Sequence, residues 1–161
     1  MKELDFLNSL KEKNKLELVE SSEEICNSYL EKAENCMRSA KLLSENDLYE
    51  NSVSTAYYTM YNSIIALLFR IGIKSENHSG SIILFKKLFD EPNLVGLISF
   101  AKKERIDKQY YVNSKKNIDL TIESTKDMVE KAENFLISIK IVIKNLNNGN
   151  INKIRGIFES L

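Results

Sequence analysis

The chain holds one proline, five glycines, one histidine, two cysteines and no tryptophan in 161 residues. So little proline and glycine leaves few tight turns, which excludes a many-stranded sandwich or barrel. A single histidine excludes a metal site built from several histidines of one chain. Cys26 and Cys36 fit neither zinc nor thioredoxin spacing. On one helix, ten residues set them roughly 15 Å apart along the axis, too far to bond to each other. No apolar run approaches the length of a membrane span, and the start MKELDFLNSLKEK lacks the apolar stretch of a signal peptide. A reducing, cytoplasmic setting is expected.

What is present is enough to build a core. The chain is 43% hydrophobic and 29% charged with zero net charge, and a chain of this length buries roughly 70% of its extended surface. The charge is uneven. Residues 1–80 carry 9 basic and 13 acidic side chains, residues 81–161 carry 14 and 10. The basic surplus gathers in Lys102, Lys103, Arg105, Lys108, Lys115 and Lys116.

Apolar periodicity is helical almost throughout. A short helix and connector fill residues 2–19. Ser21 and Glu24 fit a capping box, opening a helix with apolar positions 25, 29, 33, 36, 37, 40 and 43. Asp47 is the expected N-cap of the next helix, 47–72, whose apolar face widens through Ile64, Ile65, Ala66, Leu67, Leu68 and Phe69. Gly72 stands where helices favour a left-handed residue. A polar loop runs to Gly80, and helices follow over about 79–90, 93–112 and 119–146. Residues 147–150 read as a turn before a short amphipathic tail, and no strand-like alternation is visible. The expected fold is all-α, an antiparallel up-and-down bundle of four to five main helices with short terminal helices. It divides into an N-terminal extension (1–20), the bundle (21–146) and a C-terminal short helix (147–161). The wide apolar face of helix 47–72 exceeds what one small bundle covers, so a homodimer is expected.

Three features could carry chemistry. Tyr57 and Tyr61, four residues apart, share the apolar face and read as core, with Tyr58 rotated about 100° away. His78 lies in a polar loop before a helix. It is either a capping group, with Asn77 or Ser79 as the cap, or a general base. The segment Lys102 to Tyr111 interleaves cations with tyrosines, a pattern that suits phosphate neutralisation and base stacking. Its plain alternative is a solvated face with Tyr110 or Tyr111 in the core. No P-loop, dinucleotide fingerprint, Ser–His–Asp grouping or Glu-x-x-His pair is present.

Glu45-Asn46-Asp47-Leu48-Tyr49-Glu50, Ala56-Tyr57-Tyr58-Thr59-Met60-Tyr61, Asn77-His78-Ser79-Gly80 and Arg105 to Tyr111 together resemble the HEPN family, in its small stand-alone prokaryotic branch with an archaeal flavour. The resemblance covers about residues 24–145. It implies a helical bundle that pairs into dimers, often beside a minimal nucleotidyltransferase in a toxin–antitoxin system. It also implies metal-independent ribonuclease chemistry in active members, where an arginine and, after four to six intervening residues, a histidine act together. Here Arg105 stands at the arginine position, and Tyr110, Tyr111 or Val112 at the histidine position. No cofactor or metal is implied.

The expectation is a HEPN protein that binds single-stranded RNA or a nucleotide through Lys102, Arg105, Lys108, Tyr110 and Tyr111, with weak catalysis or none. One alternative is a divergent endoribonuclease using Arg105 with His78 or Tyr111. The other is a structural dimerisation module.

Overall fold

The structure is a computed structural model that describes residues 2–110 and 122–161, with side chains to residue 106 in the helix ending at Tyr110. Its elements are α1 (Lys2–Glu12), β1 (Leu16–Leu18), α2 (Glu23–Glu45), α3 (Tyr49–Arg70), β2 (Ile73–Ser75), α4 (His78–Leu88), α5 (Pro92–Tyr110), α6 (Ile122–Lys144) and α7 (Asn148–Ser160). The architecture is the expected all-α bundle, and α3 is its axis, packed against α2, α5 and α6.

The periodicity of α3 explains that place. Val53, Ala56, Tyr57, Met60, Ile64, Leu67 and Leu68 are buried along it. Its buried polar residues are satisfied nearby. Ser52 Oγ donates to the Ala40 carbonyl of α2 at 2.7 Å, Ser63 Oγ to Thr59 O at 2.7 Å and Asn62 Nδ2 to Tyr58 O at 2.8 Å. A helix buried on nearly every side can carry hydroxyls only where such local acceptors exist.

The wide apolar face is consumed inside the chain. Ile64, Ala66, Leu67 and Leu68 are fully buried, Ile65 nearly so, and Phe69 stacks on Tyr29 with centroids 5.5 Å apart. Most of the apolar surface on which the expected pairing rested is thus spent within the chain, with Phe69 left partly exposed.

Four local expectations are also corrected. First, β1 and β2 pair antiparallel, Leu16 opposite Ser75 and Leu18 opposite Ile73. Three-residue strands are too short to display alternation, and Leu16 and Ile73 are both buried. Second, Ser22, not Ser21, caps α2, its Oγ accepting from Ile25 N at 3.1 Å. The Ser21 hydroxyl is instead taken by the Arg70 carbonyl, 2.5 Å away, at the C-terminal end of α3. Third, Asp47 is no N-cap. It adopts a left-handed φ of 60° and accepts from the Tyr49 hydroxyl at 2.7 Å, leaving Leu48 at the cap without a side-chain bond. Fourth, 147–150 opens α7: Asn147 and Asn150 exchange side-chain-to-backbone bonds of 2.9 and 3.0 Å in a capping box. Gly72 has the expected left-handed φ, 76°. Cys26 and Cys36 both lie on α2 as thiols.

Candidate functional site

Three helices bring the chemistry together. On α5, Leu94, Ile98 and Ala101 are buried. That apolar register carries Lys102 and Arg105, one helical turn apart, against α3 and the start of α4. On α4, Asn77 is the N-cap, its Oδ1 accepting from Gly80 N at 2.8 Å. The cap fixes His78 and Ser79 as the first two residues of that helix. On α3, the run Tyr57-Tyr58 with Tyr61 one turn further supplies three phenol rings.

His78 is held on three sides. Its Nδ1 lies 2.8 Å from the Tyr57 hydroxyl. Its ring stacks on Tyr61 with centroids 3.8 Å apart and planes 8° from parallel. Tyr58 meets it edge-on, at 6.2 Å and 82°. The Arg105 guanidinium sits over the rings of both Tyr57 and Tyr58, at 5.3 and 5.0 Å from their centroids, the geometry of a cation on an aromatic face. Lys102 Nζ donates to Ser79 Oγ at 2.5 Å. Arg105 Nε is buried without a hydrogen-bond partner.

The electrostatics follow from this crowding. Burial first, then the nearby charges of Arg105 and Lys102, hold the His78 pKa below its ordinary 6.5, so the imidazole is neutral at pH 7. Lys102 is also lowered, by burial and then by Arg105. Burial pushes the Tyr57 and Tyr61 phenols upward, so both keep their protons. The site thus combines two cations, a neutral imidazole and a wall of phenol rings. That set can neutralise and hydrogen-bond an anion. Among the described residues, no cluster of three or more His, Cys, Asp and Glu could hold a metal ion.

Of the residues expected at the site, His78, Lys102 and Arg105 converge. Lys108 and Tyr110 fall where side chains are not described, and Tyr111 lies outside the described residues. Lys103 is exposed on another side of α5. Arg70, the other arginine near His78 in sequence, pairs with Glu23 at 3.3 Å and bonds Ser21 Oγ. His78 is one residue past the cap, so the capping reading belongs to Asn77. Tyr57 and Tyr61, read from the sequence as core, Tyr58, read as rotated off that face, and Ser79 are additional members. The available signal was polarity: a tyrosine on a buried stripe still needs a partner for its hydroxyl.

The HEPN domain family model matches residues 26–142. A Methanocaldococcus jannaschii protein named "Putative toxin MJ0142" is 31% identical over 74% of this chain and 84% of its own length. A second protein of that organism, "Putative toxin MJ0605", is 32% identical over 73% of this chain and 87% of its own. A UPF0332 protein of Thermotoga maritima is 28% identical over 77% of this chain and 95% of its own.

Proposed function

The chain belongs to the HEPN domain family, and from that premise we propose that it is a toxin-type HEPN protein that binds single-stranded RNA by a phosphate held between Lys102, Arg105 and His78. The observation that carries this reading is the convergence of those three side chains, from two helices, on the tyrosine wall of a third. Two cations with no carboxylate partner among the described residues form an anion site, and RNA offers phosphates at every step. The half-buried rings of Tyr58 and Tyr61 border the same place and suit an unpaired base. The relatives' names support a toxin-type role for this chain.

The test is binding of a fluorescent single-stranded RNA across a salt series. Affinity falls steeply with salt in the unmodified protein, and Lys102→Ala and Arg105→Ala each weaken it and reduce the salt slope by about one. An unchanged affinity and slope in both variants overturns the assignment. The role further suggests a minimal nucleotidyltransferase partner, which would co-purify with the tagged protein from its native host.

One observation favours a second reading, a divergent endoribonuclease. A neutral imidazole beside two cations is a competent proton carrier next to a phosphate clamp. Cleavage of RNA in the presence of a chelator, lost on both Arg105→Ala and His78→Ala, would establish it. No cleavage, with binding retained, leaves the binding reading in place.

A further inference from the structure

We propose that Tyr57 is a positioning residue for His78: its buried hydroxyl donates to Nδ1 and fixes the imidazole as the Nε2–H tautomer, so that His78 joins Lys102 and Arg105 in meeting the ligand as a donor and the three select the acceptor oxygens of a phosphate group. The proposal rests on the RNA-binding reading above and separates it from the ribonuclease reading. A histidine held this way offers a proton to hydrogen-bond, not a lone pair to take one.

The argument starts from the phenol. Tyr57 is fully buried, and His78 Nδ1, at 2.8 Å, is the only hydrogen-bond partner of its hydroxyl among the described residues. Buried hydroxyls are paired, and a hydroxyl proton that finds no acceptor stays desolvated at full cost. If Nδ1 carried the proton and donated, the phenol proton would have no acceptor. If the phenol donates, both groups are satisfied, and the ring proton must then sit on Nε2.

The ring is also locked. Tyr61 lies parallel to it and Tyr58 perpendicular to it, so the ring cannot tilt out of its plane without losing both contacts, and a half-turn, which keeps that plane, would put carbon in place of Nδ1 and break the bond to Tyr57. The groups facing His78 oppose a second proton: Tyr57, Tyr58 and Tyr61 from α3 are uncharged, and Lys102 and Arg105 from α5 are cationic. The ligand therefore faces an Nε2–H donor, a guanidinium and an ammonium. A base edge of RNA presents donors as well as acceptors, and one of its donors would meet another donor here. A phosphate presents acceptors only.

The chain has one histidine, so its imidazole nitrogen resonances are read without ambiguity by long-range proton–nitrogen NMR. The expected result is a predominant Nε2–H form at pH 7.5. Added inorganic phosphate should shift Nε2 more than Nδ1. In Tyr57→Phe the tautomers mix, and affinity for both the labelled RNA and inorganic phosphate falls about tenfold, the scale of one hydrogen bond to a charged group, with the circular dichroism unchanged. Adding Tyr57→Phe to His78→Ala should change affinity less than twofold, because Tyr57 acts through His78.

A predominant Nδ1–H form in the unmodified protein overturns the proposal, and that measurement needs no variant to fold. A Tyr57→Phe protein with an unchanged tautomer also overturns it, as does an equal loss of affinity in the His78→Ala background. A protein with the Nε2–H form that binds neither RNA nor phosphate overturns the RNA-binding reading instead.

Discussion

At the scale of single residues, His78 links the site to pH. Its pKa is held below 6.5 in the folded chain by burial, Arg105 and Lys102, in that order. The unfolded chain takes up a proton near 6.5, while the folded chain does so only at lower pH. Within that window the unfolded state binds more protons, so stability rises with pH and is lost as pH falls below about 6.5. Thermal melts should show a falling Tm as pH drops from 7 through 6, and His78→Gln should flatten that slope. An equal slope in both proteins would sink the assignment. The exposed carboxylates do not confuse the test. Glu3 and Glu76 are lowered from 4.5, chiefly by hydrogen bonds from Lys86 and Lys74, so what they contribute is present above that range and lost below it. Removing a neighbouring charge should act oppositely on the histidine itself. Arg105→Ala raises the His78 pKa, which the same single-histidine NMR titration reads directly. A pKa unmoved by Arg105→Ala would separate the guanidinium from the imidazole and dissolve the site.

At the scale of elements, α4 depends on its cap. Asn77 satisfies Gly80 N, and Asn77→Ala should cost about 1 kcal/mol, or roughly 2–4 °C in Tm for a chain of this size. The variant should also loosen His78, broadening its resonance, because the cap sets where the helix begins. Asn77→Asp keeps the acceptor and should keep the Tm. How far such features can be read from sequence differs by element. The helices are legible because Val53, Ala56, Tyr57, Met60 and Ile64 announce their shared face at spacings of three and four. Lys102 and Arg105 were legible as a cationic turn for the same reason. Their meeting with Ser79 and Tyr58 was not, since it depends on how α5 crosses α3 and α4, over 23 residues to Ser79 alone. The Ser21 and Asp47 caps failed on similar grounds. A distant carbonyl, Arg70 O, claimed the first, and a left-handed backbone claimed the second. The paired strands β1 and β2 left no trace because three residues are too few to alternate.

At the scale of the whole molecule, the chain ends brace the helix that carries His78. Leu7, Leu10 and Leu16 from the N-terminal segment and Ile151 and Phe158 from α7 join the same core as α3 and α4. Lys11 Nζ bonds the Phe158 carbonyl at 3.0 Å and lies over its ring. One side chain closes the arrangement. Arg155 Nη1 donates to the carbonyls of Val19, Ile71 and Gly72, at 2.8, 3.1 and 2.8 Å, where α3 turns into β2 beside the end of β1. Gly72 makes room for it: a Cβ there would lie 1.9 Å from that nitrogen and 2.6 Å from Val19 O, on a backbone already left-handed. Arg155→Ala leaves three carbonyls short of a charged donor and should cost about 2–3 kcal/mol, seen as a Tm lower by roughly 5–10 °C. Gly72→Ala should cost at least as much. Combining the two should cost less than their sum, because removing the guanidinium removes the worse of the two clashes and leaves only Val19 O and the strained φ. RNA affinity measured well below the Tm should change less than twofold in Arg155→Ala, whose guanidinium bonds lie at the α3–β2 turn and not at Lys102, Arg105 or His78. A strictly additive double variant, or an Arg155→Ala protein that melts like the original, would show that this three-carbonyl joint is not what fastens α7 to the bundle.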